Sequence, residues 1–234
     1  MSSSFYKSIL LKISGEAFHD FMDFEKLTAL ILDIRKMGVL IGVVVGGGNI
    51  VRGIQAASRG MNRVNADMMG MMSTAINGLA LLDSLERKGC PAVVLSAFEC
   101  PRFMELYTSH KAKQALEEGK VVIFVGGTGN PFFSTDTAAA LRAAEMGAEV
   151  LLKGTTKVDG IYDKDPRQFS NVVKYEKVTY AEVLEKGLQV MDLTAITLCQ
   201  EHRIPIYVFD LFAEGALKKA VMKQSVGTFV GGER

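Results

Sequence analysis

The chain has 234 residues, 48% hydrophobic and 23% charged, a globular composition with enough length to bury a sizeable core in one domain. Its 27 lysines and arginines nearly cancel its 26 aspartates and glutamates, and the net charge of +1 excludes an extended nucleic-acid surface while leaving room for a small basic pocket. No uncharged run reaches the roughly 20 residues of a bilayer-spanning helix and the N-terminus shows no signal-peptide pattern, so a cytoplasmic protein with no membrane or nucleic-acid partner is expected.

In chain order, the apolar run Ser8–Ile13 predicts a first strand, and Phe24–Met37 a helix with Leu27, Leu30, Ile31, Ile34 and Met37 on one face. Val39–Val45 follows as a strand, Ala66–Arg87 as a long helix and Ala92–Ala97 as a strand. Next come helix Ser109–Glu117, strand Val121–Val125, helix Ser134–Met146 and strand Val150–Leu152. Gly154–Lys177 is polar and irregular, suited to a flap or part of a second lobe. Helices Tyr180–Lys186 and Asp192–His202, strand Ile204–Phe209 and helix Glu214–Met222 complete the chain. The strands are short, rich in Val and Ile, and mostly lack polar alternation, which marks strands buried on both faces of a mainly parallel sheet. Helices would cover both faces, giving an α/β fold in three α/β/α layers.

Three strands end in glycine-containing loops: Lys12-Ile13-Ser14-Gly15, then Gly46-Gly47-Gly48-Asn49 with Arg52 close behind, then Gly126-Gly127-Thr128-Gly129-Asn130. In open α/β sheets ligands bind beyond the carboxyl ends of strands. Glycine there lets backbone N–H groups approach a phosphate, and a following helix adds its positive end. Three such loops point to a ligand set with several phosphates. The spacing matches neither the dinucleotide fingerprint nor the P-loop. Cys90, Cys100 and Cys199 lack metal-ligand spacing and read as free thiols, and His19, His110 and His202 as structural or surface residues.

Specific motifs add to this. K-I-S-G-E at Lys12–Glu16, G-G-G-N-I-V-R-G at Gly46–Gly53, M-N-R-V-N-A-D at Met61–Asp67 and G-T-G-N-P-F-F-S-T-D at Gly127–Asp136 occur in order. They are followed by K-V-D-G-I-Y-D-K-D-P at Lys157–Pro166 and Q-V-M-D-L-T-A at Gln189–Ala195. The chain thereby resembles the bacterial-type UMP kinases of the amino acid kinase superfamily over nearly its whole length. The resemblance implies the amino acid kinase fold as a single domain, with an acceptor lobe over roughly residues 1–150 and an ATP lobe over 151–234. It also implies a homohexamer, with ATP and UMP as substrates and Mg²⁺ bound with ATP as cofactor; no metal-ligating residue is singled out.

The same resemblance assigns roles. Lys12, Arg52, Asp136 and Lys153 would be catalytic. Lys12, Ile13, Ser14, Gly15, Gly48, Arg52, Thr156, Tyr162 and Asp165 would bind ATP. Gly47, Asp67, Thr128, Gly129, Asn130, Pro131, Phe132, Phe133, Ser134 and Thr135 would hold UMP. Asp136 has two open roles, orienting Lys12 or complementing the dipole of the helix it begins. Asp67 is either a ribose acceptor or a helix cap, Asp192 either organises the lysines or caps a helix, and Thr155 competes with Thr156 because K-G-T-T-K at Lys153–Lys157 is one residue longer than usual. Met68, Met69, Met71 and Met72 fit either the core or a subunit interface. The Phe18–Phe24 segment is shorter than in relatives activated by GTP and has no glycine, so such activation is not expected. A kinase for carboxylates or carbamates, or a non-catalytic nucleotide sensor, is the alternative function.

Overall fold

The computed structural model describes residues 5–232. Strands β1 (Ser8–Ile13), β2 (Leu40–Val45), β3 (Ala92–Ser96), β4 (Glu105–Leu106), β5 (Val121–Val125) and β6 (Val150–Thr155) lie in the first two thirds of the chain. They are joined by α1 (Phe21–Arg35), α2 (Gly53–Ser58), α3 (Arg63–Arg87), α4 (Ser109–Glu117) and α5 (Thr135–Met146). The remainder holds β7 (Ile161–Tyr162), β8 (Lys174–Tyr175), β9 (Lys177–Thr179), α6 (Tyr180–Glu185), α7 (Leu193–Glu201), β10 (Ile206–Asp210), α8 (Ala216–Val221) and β11 (Thr228–Gly231).

Nine strands form one sheet in the order β4-β3-β5-β2-β1-β6-β10-β11-β9. Every neighbouring pair is parallel except β10–β11. Alternation along β1 feeds two cores. Ile9, Leu11 and Ile13 join residues of α1, α3 and α8, while Leu10 joins residues of α4, α5, α6 and α7. The sheet is thus covered on both faces, as the unbroken apolar strands require. Lys12 follows Leu10 by two positions and so turns toward the second face, where α5 lies.

The predicted strands and helices are present, with boundaries moved by caps that apolar periodicity does not register. Asp20 accepts from the backbone N–H groups of Met22 and Asp23, and the Asp23 side chain returns to the Asp20 backbone. This capping box starts α1 at Phe21, ahead of Phe24. The short turn before it is closed by Phe18 and Phe24, whose rings stack at 4.4 Å. Asn62 caps α3 through the N–H groups of Val64 and Asn65, so Asp67 lies inside the helix and is not its cap. The polar segment 154–177 contains the end of β6 and a separate two-stranded hairpin, β7–β8. Strands β4, β7, β8, β9 and β11 have two to four residues each, too few to register as apolar runs.

Asp20→Ala removes the acceptor of two N–H groups at the start of α1. It is expected to lower stability by about 1 kcal/mol, read as a lower urea midpoint with an unchanged slope.

Candidate active site

The three glycine loops meet at one end of the sheet and line a single cleft of about 720 Å³. Ser14 and Gly15, Gly46–Gly48, and Gly127, Thr128 and Asn130 all border it. The first two loops touch backbone to backbone. A Cβ on Gly15 would come within 2.4 Å of the Gly48 nitrogen, and one on Gly46 within 2.5 Å of the Gly15 nitrogen. Only glycine allows that approach. The Gly46 N–H also donates to the Ile13 carbonyl at 2.8 Å, so Ile13 holds the loops together from the core and does not line the cleft.

Helix α3 sets the spacing of the other loops. Residues 67, 70, 74 and 77 fall on one face of it, three or four apart. Asn77, buried, donates to the Gly46 carbonyl at 2.7 Å and to the Asn49 side chain at 2.8 Å. The Thr74 hydroxyl accepts the Gly126 N–H at 2.7 Å, anchoring the third loop. A Cβ on Gly47 would meet the Gly70 carbonyl oxygen at 2.8 Å, so the second loop lies flat on the helix. Asp67 Oδ2 accepts the Phe132 N–H at 2.8 Å and ties down the segment after the third loop. Asp67, Phe132, Phe133, Ser134 and Thr135 line the cleft; Gly129 and Pro131 do not. Sequence reading singled out Asp67 but missed Thr74 and Asn77. Their signal is a polar residue recurring on one stripe of an otherwise apolar helix.

Beside the cleft is a buried charge centre. Parallel register sets Lys12 of β1 against Lys153 of β6. The Lys12 ammonium lies 2.7 Å from Asp136 Oδ1 and the Lys153 ammonium 2.8 Å from Oδ2. Lys12 is 6% exposed, so it is no solvated strand-end lysine. Its contact with Oδ1 is an ion pair out of hydrogen-bond alignment, which leaves that oxygen without an aligned donor. Burial pushes the Asp136 pKa up, but Lys12 and Lys153 outweigh it and hold the carboxyl well below the usual range. For Lys153, burial and the neighbouring Lys12 lower the pKa against the attraction of Asp136. Asp136 therefore orients both lysines, in addition to standing in the first turn of α5.

Asp192 caps α7 through the Ala195 N–H and accepts the hydroxyls of Ser134 and Thr137, fixing the N-terminus of α5 against α7. Arg52 lines the main cleft and also a second of about 500 Å³ with Glu16, Phe18, His19, Gly48, Asn49, Thr156 and Lys157. Glu16 pairs with both Arg52 and Lys157. Thr156 faces this second cleft, whereas the Thr155 hydroxyl turns to the Val158 carbonyl. Tyr162 and Asp165 line neither cleft. Tyr162 donates to Asp159 at 2.6 Å, and Asp165 is gripped by Arg167, which holds its pKa down at about 2. Among the methionines in question, Met68, Met69 and Met72 are exposed beside exposed Ile76, which corrects a core placement for them. Met71 borders the main cleft.

Among the described residues no three His, Cys, Asp or Glu side chains stand together as metal ligands. Of the carboxylates that line the main cleft, Glu16 faces an arginine and a lysine, Asp67 an arginine, and Asp192 the hydroxyls of Ser134 and Thr137; Asp136 beside it faces two lysines.

Residues 7–210 match the Amino acid kinase family. The uridylate kinase of Bartonella bacilliformis is 49% identical, the match covering 92% of this chain and 93% of that protein. The crystal structure of UMP kinase from Ureaplasma parvum superposes with a TM-score of 0.91 at 39% identity, covering 97% of this chain and 99% of its own. The UMP kinase structure from Bacillus anthracis gives 0.94 at 32% identity, covering 98% and 97%.

The lowered Asp136 pKa has a pH consequence. Its contribution to stability is full above the unfolded carboxylate value of about 3.9 and is lost as pH falls toward the lower folded value. Asp136→Asn leaves two lysines without their counter-charge and is expected to cost about 3 kcal/mol at neutral pH. Urea unfolding from pH 7 to pH 3 should show the wild type losing stability more steeply than the variant.

Proposed function

The chain belongs to the amino acid kinase family, and from that membership we propose that it transfers the terminal phosphoryl group of ATP to UMP, giving ADP and UDP. The observation that carries this reading is the meeting of three glycine loops over one cleft, with Asp67 at one side and the Lys12–Asp136–Lys153 centre beside it. The near relatives named as uridylate and UMP kinases support the choice of acceptor. A carboxylate or carbamate acceptor would have no use for the Thr128–Thr135 segment tied to Asp67, and a non-catalytic sensor would not need three largely buried charges at the loops.

In this reading the donor triphosphate lies along Ser14, Gly15 and Gly48, with Arg52 on its oxygens. Its nucleoside end reaches toward Thr156, Tyr162 and Asp165, so residues beyond about 150 form the donor lobe. The acceptor lies between Gly47 and the Thr128–Thr135 segment. Its phosphate faces the N-terminus of α5 and its ribose hydroxyls face Asp67. An acceptor phosphate oxygen attacks the terminal phosphorus as the bond to ADP breaks. That oxygen is already ionised near neutral pH, so the chain need supply no strong base. Lys12 neutralises charge on the moving phosphoryl group, Lys153 supports it, and Asp136 fixes both. Mg²⁺ would be held by the donor phosphates, where it would offset their charge.

A cytoplasmic homohexamer goes with this reading. Among the described residues no helix is long and apolar enough to cross a membrane, and all three cysteines are free. The exposed apolar stripe of Met68, Met69, Met72 and Ile76 on α3 supports burial against another subunit.

Release of ADP, measured with UMP, CMP, AMP, acetylglutamate and carbamoyl acceptors, should be fast with UMP alone; no turnover with UMP refutes the assignment. In the same assay Lys12→Ala is expected to lower kcat by about 10²-fold with a small change in KM. Light scattering should give the mass of six chains, and a monomer at micromolar concentration would exclude the hexamer.

A further inference from the structure

Arg63 has no part in the phosphate chemistry, yet it borders the main cleft. It opens α3, one turn before Asp67, and its Nε donates to Asp67 Oδ2 at 2.8 Å. The same oxygen accepts the Phe132 N–H at 2.8 Å, from a loop 65 positions away in sequence. The guanidinium carbon also lies 5.5 Å from the centre of the Phe132 ring. A cation, a carboxylate and a ring therefore close a triangle between α3 and the loop leading into α5.

Phe132 needs such support. Its φ of +72° lies in the left-handed region that non-glycine residues rarely occupy, and the residue is 66% exposed, so no core contact holds it there. A backbone in that region persists when its surroundings over-determine it. Here the surroundings are the Asp67 carboxylate at the N–H and the Arg63 guanidinium at the ring. The other carboxylate oxygen, Asp67 Oδ1, accepts no hydrogen bond among the described residues. It lies over Gly53, where a Cβ would come within 2.4 Å of it.

We propose that Arg63 is a positioning residue for the acceptor, fixing Asp67 so that Oδ2 pins the Phe132 segment while Oδ1 is left for a hydroxyl of the acceptor sugar. The inference rests on the reading above in which Asp67 faces the UMP ribose. One carboxylate then does two things: it reads the sugar and it holds the loop that surrounds the acceptor. Loss of Arg63 frees Asp67 to rotate, so recognition of the sugar and order in the loop weaken together. A sugar lacking a hydroxyl gains least from a correctly held Asp67, so discrimination between UMP and dUMP depends on Arg63.

Arg63→Ala is expected to raise the KM for UMP about tenfold while kcat and the KM for ATP stay within about twofold. The preference for UMP over dUMP should narrow at the same time. Arg63→Lys should restore only part of both, because an ammonium keeps the charge but loses the planar Nε–H geometry and the face over the ring. An unchanged KM for UMP, or equal rises in the KM of both substrates, would overturn the proposal. Hydrogen exchange at the Phe132 amide, measured without nucleotide, tests the link apart from the substrate. Faster exchange in Arg63→Ala supports the link and unchanged exchange overturns it. Wild-type enzyme idle on UMP would refute the acceptor assignment instead, a result separable from the exchange measurement.

Discussion

Parallel register sets Lys12 of β1 opposite Lys153 of β6, and both side chains turn to the same face of the sheet, where two largely buried ammonium groups would repel at close range. Asp136 removes that conflict by taking one lysine on each oxygen. The solution works because α5 crosses that face with its first turn at the strand ends. Asp192 ties that turn to α7 through Ser134 and Thr137. Strand register, helix placement and a cap on a neighbouring helix thus all bear on where two positive charges stand. A buried ion triad of this kind is poor evidence of stability in itself, since desolvation opposes it. Its value is positional: in the proposed reaction the charges already stand in place when the phosphates bind, and need no reorganisation.

Helix α3 plays the matching part for the backbone. Four positions on one stripe serve the second and third loops: Asn77 and Gly70 the second, Thr74 the third, Asp67 the segment beyond it. Because these contacts share one rigid helix, the loops are spaced by the helical rise and cannot drift independently. The first loop has no such anchor and is held by the second, through the mutual approach of Gly15 and Gly46. The glycine-rich cleft is thus anchored, directly or through the second loop, on one helix.

The legible part of the molecule was the part governed by local rules. Unbroken apolar strands showed a sheet covered on both faces, and glycine at three strand ends marked the loops that meet over the main cleft. Motif content went further, bringing the family and named positions along with it. What escaped were features carried by polar residues in apolar company. Asn77 and Thr74 look like interruptions of an amphipathic helix, and the Asp20 and Asn62 caps precede the apolar periodicity of their helices. The short strands β7, β8, β9 and β11 depend on partners distant in sequence, so nothing local marks them. For the methionines after Asp67 apolar type left core and interface both open, and the structure places Met68, Met69 and Met72 on the exposed face of α3.

By itself, then, the sequence determined the layer order, the buried strands and the chemical character of the loops, because apolar periodicity and glycine act over a few residues. Only the tertiary structure decided which oxygen meets which nitrogen. Asp136 chose its role when β1 and β6 aligned their lysines beneath α5, and Thr156 was separated from Thr155 by the direction its side chain takes at the end of β6. On sequence grounds Asp67 could be a cap or a ribose acceptor. It became the partner of Arg63 and Phe132 because the chain brings residues 65 positions apart to within a hydrogen bond. Such contacts are long-range and few, and a hydrogen bond is decided by tenths of an ångström that no local pattern encodes.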